Sequence, residues 1–308
     1  MDDVKINTSK TLTLTLPTDA DSNTVTVNLY HEFGDTVKSN VAASRSSEGV
    51  YTVTFGQENS GIYVLQSAGK HRAVFSYSIG GSEYSQSQYI NVYTPYITSS
   101  EFFVNHTELE ESFISQFDTI EKRARNIINT YCGQSFDSYP EKSITIDGGN
   151  HKNLHLPIPI STLTKVTINP GDSDSQVIHD STDSTLNNIE KIRQPFNFES
   201  SYFLRYKSTV VETASDKIFG KKFKQNSDYK IEGDFGWRYV PDGVKQAADL
   251  IIADLMNDDS EYRRHGITNI SMDTTSFSMV PNFYESTGNI EADVLLMDYM
   301  MFIMDYVI

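Results

Sequence analysis

Apolar and polar residues alternate in short runs along the first 95 residues of the chain. In TLTLTLP, Leu12, Leu14 and Leu16 alternate with threonines, and TVTVNLY repeats the pattern. Such alternation places one face of a strand against a core and the other face in water. Stretches rich in Gly, Asn, Asp and Ser separate the runs, as turns between strands do. Residues 1–95 are therefore predicted to form a β-sandwich.

The number of runs favours an immunoglobulin-like topology for this sandwich, since that fold has roughly seven short strands at regular spacing. No cysteine pair links its sheets, and the only tryptophan, Trp237, lies outside the segment. The sandwich itself therefore has more support than any one strand order.

The apolar period changes from two residues to about 3.6 after Pro95, which predicts helices. Thr107–Glu110 fits a capping box, Gly133 suits a helix C-terminus, and Asn289 suits an N-cap. The three predicted helices cover about residues 107–132, 241–258 and 289–308. The last of them is apolar on nearly all faces, so we expect one face to contact something other than its own protomer.

Alternation returns between the first two helices, over about residues 142–237. Ile146 and Leu154 flank the sequence DGGN, which predicts a hairpin, and the polar stretch 171–188 is expected to be a flexible insertion. Residues 96–308 are thus predicted to be a second, α+β domain: helices with an inserted β part.

Composition limits the classes of function. The chain has 41 acidic and 25 basic residues, a net charge of −16, which opposes binding of DNA by its whole surface. The single cysteine, Cys132, excludes an internal disulfide and a cysteine zinc site. The polar start is not expected to be a signal peptide. The final run VLLMDYMMFIMDYVI has 15 residues and two aspartates, fewer apolar residues than the roughly 20 that a bilayer span needs.

No catalytic, cofactor or metal site is predicted. His151 and His155 are four residues apart, but Pro157 and the predicted hairpin oppose a helical metal-binding pair. The GDFG at Gly233 lacks the other protein-kinase signatures. A pair of carboxylates for glycoside hydrolysis stays open as a disfavoured alternative, because sequence alone does not show such a pair.

Four motifs in residues 96–308 occur in a characteristic order. They are RARNIINTYCGQSF, LHLPIPISTLTKVTI, YKIEGDFGWRYVPDGVKQAADLIIADL and GITNISMDTTSFSM. In this order they resemble the head–tail connector proteins of tailed bacteriophages, also called adaptor or head-completion proteins. The resemblance does not include residues 1–95, which would be an accessory domain of a virion protein.

The resemblance implies a structural role and no enzymatic activity. Such proteins form a ring, commonly of twelve copies, in the virion neck between the portal and the tail. The ring extends the channel for double-stranded DNA, which passes without sequence-specific binding, and presents a docking surface to tail or neck proteins. The chain would be made in the host cytoplasm and have no membrane partner.

The resemblance also implies which residues make contacts. The C-terminal region, about 267–308, would pack on the portal and in the ring. Its candidate interface residues are Ile267, Ile270, Met272, Phe277, Met279, Phe283, Tyr284, Leu295, Tyr299, Phe302, Tyr306 and Ile308. Gly233, Gly236, Trp237 and Pro241 would form a structural joint between the β part and the second helix.

Two further sets of residues belong to weaker hypotheses. Asp254, Asp258, Asp259 and Glu261 are candidates for an acidic channel wall or, equally, a solvated helix end. In the alternative function, the sandwich binds a host surface or glycan and the rest of the chain multimerises it. The aromatic residues that could then stack on sugars are Tyr51, Tyr63, Tyr77, Tyr84 and Tyr89.

Overall fold

The computed structural model describes residues 2–21, 24–56, 65, 67–107, 111–192, 200–210, 212–256, 269–272, 275–278 and 286–300. The described part of the chain is β-rich and has several sheets, with 44% of the described residues in strands and 24% in helices. This agrees with the predicted β-rich, multidomain fold class.

Among the described residues of the first 93, eight strands form two sheets. They are β1 (Asp2–Lys5), β2 (Lys10–Thr15), β3 (Val25–His31), β4 (Thr36–Ala42), β5 (Ser44–Ser47), β6 (Val50–Phe55), β7 (Gly69–Ile79) and β8 (Ser82–Tyr93). One sheet has the order β1-β8-β7-β3-β4 and the other β2-β6-β5. All pairs are antiparallel except β1 with β8, which is parallel.

One apolar core is shared by the two sheets. The alternating leucines Leu12, Leu14 and Leu16 are buried in it, as are Val27 and Phe75. The threonines between the leucines are exposed. The predicted alternation is therefore confirmed, and burial of its apolar positions is what holds the sheets together.

A second β region follows the first helices. Its strands are β9 (Ser138–Asp147), β10 (Asn153–Ile168), β11 (Gln176–Asp180), β12 (Ile189–Lys191), β13 (Ser201–Tyr206) and β14 (Asp228–Gly236). The sheet order is β12-β13-β10-β14-β9, and β11 pairs with β10. The stretch 171–188 thus includes a strand and a short 3₁₀ turn (Ser184–Leu186), where a flexible insertion was predicted.

The predicted hairpin between β9 and β10 is wrong, because β14 lies between these two strands. Ile146 of β9 pairs with Tyr229 of β14, and Ile168 of β10 pairs with the same residue from the other side. Gly148, in the connection, passes so close to the Lys224 carbonyl that a Cβ would lie 2.2 Å from it. Gly148 therefore allows a close backbone approach rather than a two-strand turn.

The helices are α1 (Ser99–Asn105), α2 (Phe117–Cys132), α3 (Ala214–Phe219), α4 (Asp242–Met256) and α5 (Ile290–Leu296). A 3₁₀ helix, Glu111–Gln116, precedes α2, and another, Met297–Tyr299, follows α5. Strands β15 (Asn269–Met272) and β16 (Thr275–Ser278) pair with each other.

The predicted helix boundaries are corrected at two places. The α-helix predicted over about 107–132 begins only at Phe117, and the one predicted over 289–308 ends at Leu296. Residues 257–258 and 301–308 lie outside the described part of the chain. Helix α4 otherwise matches its prediction within the described residues.

Two of the predicted helix caps are confirmed. Gly133 ends α2 with φ +67°, and the Asn289 side chain accepts a hydrogen bond from the Ala292 N–H at 3.0 Å. The capping box predicted at Thr107–Glu110 includes residues outside the described ones. A capping box does occur at the start of α1, between Thr98 and Glu101.

The chain divides into two compact units, each made of two segments. Met1–Thr94 and Asp137–Arg238 form one, which we call the β unit, and Pro95–Phe136 and Tyr239–Ile308 form the other, the helical unit. The predicted division grouped the inserted β part with the helices, whereas here it groups with the first 94 residues. Within the helices described, none has the length and hydrophobicity to cross a bilayer.

Candidate assembly interface

Helix α4 presents two different faces. Val244, Ala247, Ala248 and Ile251 are fully buried on one side, and α4 packs against α2. At 100° per residue, Lys245, Gln246, Asp249 and Leu250 lie on the opposite side of the helix. These four residues line one wall of a groove in the helical unit.

The groove has a volume of about 660 Å³ and lies between α4, α5 and the segment that carries α1. Its apolar lining includes Ile97, Leu250 and Leu295, and these side chains are only partly exposed or buried. A groove of this size is in the range of sites that take ligands or parts of a partner chain.

Apolar side chains on α5 and the turn after it face solvent, and two of them, Ile290 and Val294, also line the groove. Ile290 is 79% exposed, Val294 63% and Met297 58%. Their spacing of four and three residues places them on one stripe of α5 and the following turn. Ala292 and Leu296, on the other side, are fully buried. Contiguous apolar surface of this kind typically marks an interaction site.

Polar contacts fix the groove's rim. The His106 Nε2 atom lies 3.0 Å from Asp249 Oδ2, across α1 and α4. Glu101 accepts hydrogen bonds from the N–H and hydroxyl of Thr98, and these lower the pKa of its carboxyl. Lys245 Nζ lies 3.9 Å from Glu101 Oε1 at the exposed edge.

Of the predicted interface residues, two have side chains that the structure describes. Leu295 lines the groove, and the Tyr299 ring packs against Phe136, with ring centroids 5.8 Å apart. Ile270, Met272 and Phe277 belong to β15 and β16, where only the backbone is described. The others, Ile267, Met279, Phe283, Tyr284, Phe302, Tyr306 and Ile308, lie outside the described residues.

Sequence reasoning did not single out Ile290, Val294 and Met297. Their helical spacing was visible, but the boundary of α5 and the position of α4 decide which face stays open. Asp254, a candidate channel residue, instead accepts a hydrogen bond from the Asn289 side chain at 2.7 Å. Asp258, Asp259 and Glu261 lie outside the described residues.

Of the predicted joint residues, Gly233, Gly236 and Trp237 belong to the β unit and Pro241 to the helical unit. Gly236 has φ +76°, and a Cβ there would lie 2.1 Å from the Asp137 carbonyl oxygen. The Trp237 N–H donates to that same oxygen at 2.9 Å, and a Cβ on Gly233 would meet the Thr162 carbonyl. Pro241 belongs to the helical unit, where its carbonyl accepts a hydrogen bond from the Lys245 N–H. Positive φ and close backbone approach explain why glycine is needed here.

A buried histidine pair lies within the β unit. His31 and His71 are directly opposite each other on β3 and β7, with ring centroids 4.7 Å apart. His31 Nε2 lies 2.7 Å from the Ala68 carbonyl, and both rings are almost completely buried. Desolvation is the main cause that lowers the pKa of His31, and it lowers the pKa of His71 to about 4. Both rings are therefore neutral at neutral pH.

Contacts around this pair join the core of the first 94 residues to the sheet that contains β9 and β14, within the β unit. Phe33 packs edge-on against Tyr139, with centroids 5.5 Å apart, and its ring lies 6.2 Å from that of Phe235. Lys142 of β9 forms an ion pair with Asp35 at 3.2 Å. The histidines thus have a packing role at this junction.

Residues considered for other chemistry have structural environments. Cys132 is buried, which raises the pKa of its thiol to about 12. Tyr51 is fully buried and its hydroxyl accepts from the Ala20 N–H, and Tyr77 stacks on Tyr84 at 5.8 Å. Tyr84 and Tyr89 are half exposed, and Tyr63 lies outside the described residues.

No group of three or more His, Cys, Asp or Glu side chains is placed to bind a metal ion within the described ranges. A scan of the chain against protein-family models gives no match, and a search of curated proteins finds no relative.

Proposed function

We propose that the protein is a virion structural protein that forms a ring between the portal and the tail of a tailed bacteriophage. The observation that carries the proposal is the apolar stripe Ile290, Val294 and Met297 beside an open groove. In a single protomer this apolar surface is exposed to solvent, and repeated contacts between identical copies in a ring would bury it. The four connector-like motifs lie in the part of the chain that contains this surface.

The first 94 residues fit an immunoglobulin-like accessory domain. In the immunoglobulin fold one sheet contains strands C, F and G, extended by C′ in variable-type domains, and the other contains B, E and D. The order β4-β3-β7-β8 corresponds to C′-C-F-G, and β5-β6-β2 corresponds to D-E-B. This correspondence supports the immunoglobulin-like topology that the spacing of runs predicts.

The proposed partners are further copies of the chain, the portal, and tail or neck proteins. Residues 267–308 would contribute to the ring and portal contacts. Double-stranded DNA would pass through the ring without specific binding, because the net charge of −16 opposes adhesion of phosphates. No enzymatic step is part of this role.

Mass photometry of the purified chain, alone and with the portal of the same virus, tests the proposal. A closed ring of twelve 34.8-kDa chains has a mass of about 420 kDa. Ile290→Asp with Val294→Asp should abolish the ring, because it places charges in the buried contact. Ile114→Asp is the control, since Ile114 is 53% exposed and does not line the groove. A chain that stays monomeric in both conditions would contradict the proposal.

A glycan-binding function is the second candidate, and one cross-strand row favours it. Tyr30, Arg72 and Tyr89 are paired across β3, β7 and β8, and the Arg72 guanidinium lies 5.4 Å from the centroid of the Tyr30 ring. Exposed aromatic rings and a guanidinium can stack on and hydrogen-bond to sugars. On an array of bacterial surface polysaccharides, Tyr89→Ala should remove binding, whereas Tyr84→Ala, on the other face of β8, should not.

A further inference from the structure

We propose that protonation of His31 opens a junction inside the β unit. The junction joins the core of the first 94 residues to the sheet that contains β9 and β14, and the rings of His31, Phe33 and Tyr139 contact one another there. His71 packs edge-on against His31, with ring centroids 4.7 Å apart. The inference concerns the β unit alone, so it does not depend on the proposed ring.

The hydrogen bonds of His31 fit one protonation state of its ring. The Nδ1 atom accepts a hydrogen bond from the Phe33 N–H at 3.3 Å. The Nε2 atom therefore carries the hydrogen of the neutral ring and donates it to the Ala68 carbonyl oxygen at 2.7 Å. A proton added at Nδ1 would set an N–H donor against the N–H of Phe33, so that hydrogen bond would be lost.

Both hydrogen-bond partners of His31 also contact β9. The Phe33 ring stacks on His31, with centroids 5.2 Å apart, and meets the Tyr139 ring edge-on at 5.5 Å. Ala68, whose carbonyl accepts from His31, donates its own N–H to the Ser138 carbonyl at 3.2 Å. A shift of the protonated ring therefore disturbs both contacts at once.

The charged groups around the histidine pair do not favour an added proton. Lys142 of β9 repels a charged ring, and the Asp35 carboxylate already pairs with Lys142 at 3.2 Å. The Glu32 carboxylate is turned towards Gly69, where a Cβ would lie 2.1 Å from its oxygen. Burial is the main cause that lowers the pKa of both rings, and the charge of Lys142 acts in the same direction.

The junction is therefore closed while both rings are neutral. Opening exposes the rings to water, where they bind protons below an ordinary pKa of 6.5, so opening becomes more favourable as the pH falls from 6.5 towards 4. The lowered pKa of His71, about 4, corresponds on its own to an opening equilibrium about thirtyfold higher at pH 5 than at pH 7.5. The core of the first 94 residues has its own buried side chains, so its strands are expected to stay paired.

Amide hydrogen exchange resolved to single residues tests the inference on the full chain at pH 7.5 and pH 5. Each rate is divided by the intrinsic rate at that pH, which leaves the opening equilibrium. For the Ala68 N–H, which donates across the junction, this equilibrium should rise about thirtyfold at pH 5. The Phe75 N–H, in the central strand β7, is the internal control and should change several-fold less.

Nitrogen NMR of the histidine rings provides the second measurement. At pH 7.5 the hydrogen of His31 should be on Nε2, and the pH at which Nδ1 becomes protonated should match the pH at which exchange at Ala68 rises. In a chain with both His31→Gln and His71→Gln, the pH response at Ala68 should disappear. His151→Gln, at an exposed position, is the matched control and should retain the full response.

Four results would overturn the inference. They are a hydrogen on Nδ1 of His31 at pH 7.5, no rise in exchange at Ala68 between pH 7.5 and pH 5, an equal rise at Phe75, and an undiminished response in the double variant. An equal rise at Phe75 would mean that the β unit unfolds as a whole instead of opening at the junction. The measurements on the wild-type chain decide the inference even where the double variant does not fold.

Discussion

Lowering the pH from 7 to 5 should destabilise the β unit through the buried pair His31 and His71. Both rings are neutral in the folded state, because burial lowers their pKa. The unfolded chain exposes them and binds protons below the ordinary pKa of 6.5. Between pH 6.5 and about 4 the unfolded state therefore holds more protons, so the free energy of unfolding falls as the pH falls.

The magnitude follows from the pKa of His71. A fall from 6.5 to about 4 corresponds to roughly 3 kcal/mol, because a tenfold change in a protonation equilibrium is about 1.4 kcal/mol. At pH 5 the loss attributable to His71 is roughly 2 kcal/mol, and His31 adds to it in the same direction. The carboxyls whose pKa is lowered, such as Asp21 and Glu101, lose their contribution only at lower pH.

Urea unfolding at several pH values, followed by tryptophan fluorescence, measures this effect. Trp237 is the only tryptophan, is buried, and lies in the β unit, so its emission follows that unit. His71→Phe should flatten the dependence between pH 5 and 6.5, and His151→Phe, at an exposed position, should leave it unchanged. A wild-type free energy that is constant over this range, or an equal slope in His71→Phe, would refute the reasoning.

Three further predictions concern single residues. Gly236→Ala should lower the free energy of unfolding of the β unit, measured in urea, by about 3 kcal/mol or more, because Gly236 has a positive φ and a Cβ there would clash with a carbonyl oxygen. Gly171→Ala is the control: Gly171 has φ +92° but open space around it, so the substitution should cost only about 1 kcal/mol. Cys132 should not react with a thiol reagent in the native protein and should react fully in denaturant, and rapid native labelling would contradict its burial. Thr98→Ala should destabilise the helical unit by about 1 kcal/mol through loss of the α1 cap, with Thr98→Ser as the conservative control, and equal circular-dichroism melts for both would contradict this.

Local features of the fold were predictable from sequence. The alternation at Leu12, Leu14 and Leu16 identified a strand and its buried face, and the helix ends at Gly133 and Asn289 followed from cap chemistry. These features depend on neighbours a few residues away, so a short window of sequence contains the information.

Features that depend on distant pairing were not predictable. Strand β14 pairs with β9 from about 80 residues further along the chain, and nothing near DGGN signals that partner. His31 and His71 meet only because β3 and β7 pair in a register that places them opposite each other. The open stripe on α5 likewise depends on where α4 packs, which periodicity does not specify.

The chain passes between its two units three times, after Thr94, after Phe136 and after Arg238. This path has a consequence for how such a gene can be exchanged by recombination. Replacing only the first 94 residues with those of a homologous chain would separate Phe33 from Tyr139 and Asp35 from Lys142. A viable hybrid would have to bring residues 137–238 from the same parent, so the two stretches are expected to be inherited together even though a helical segment lies between them.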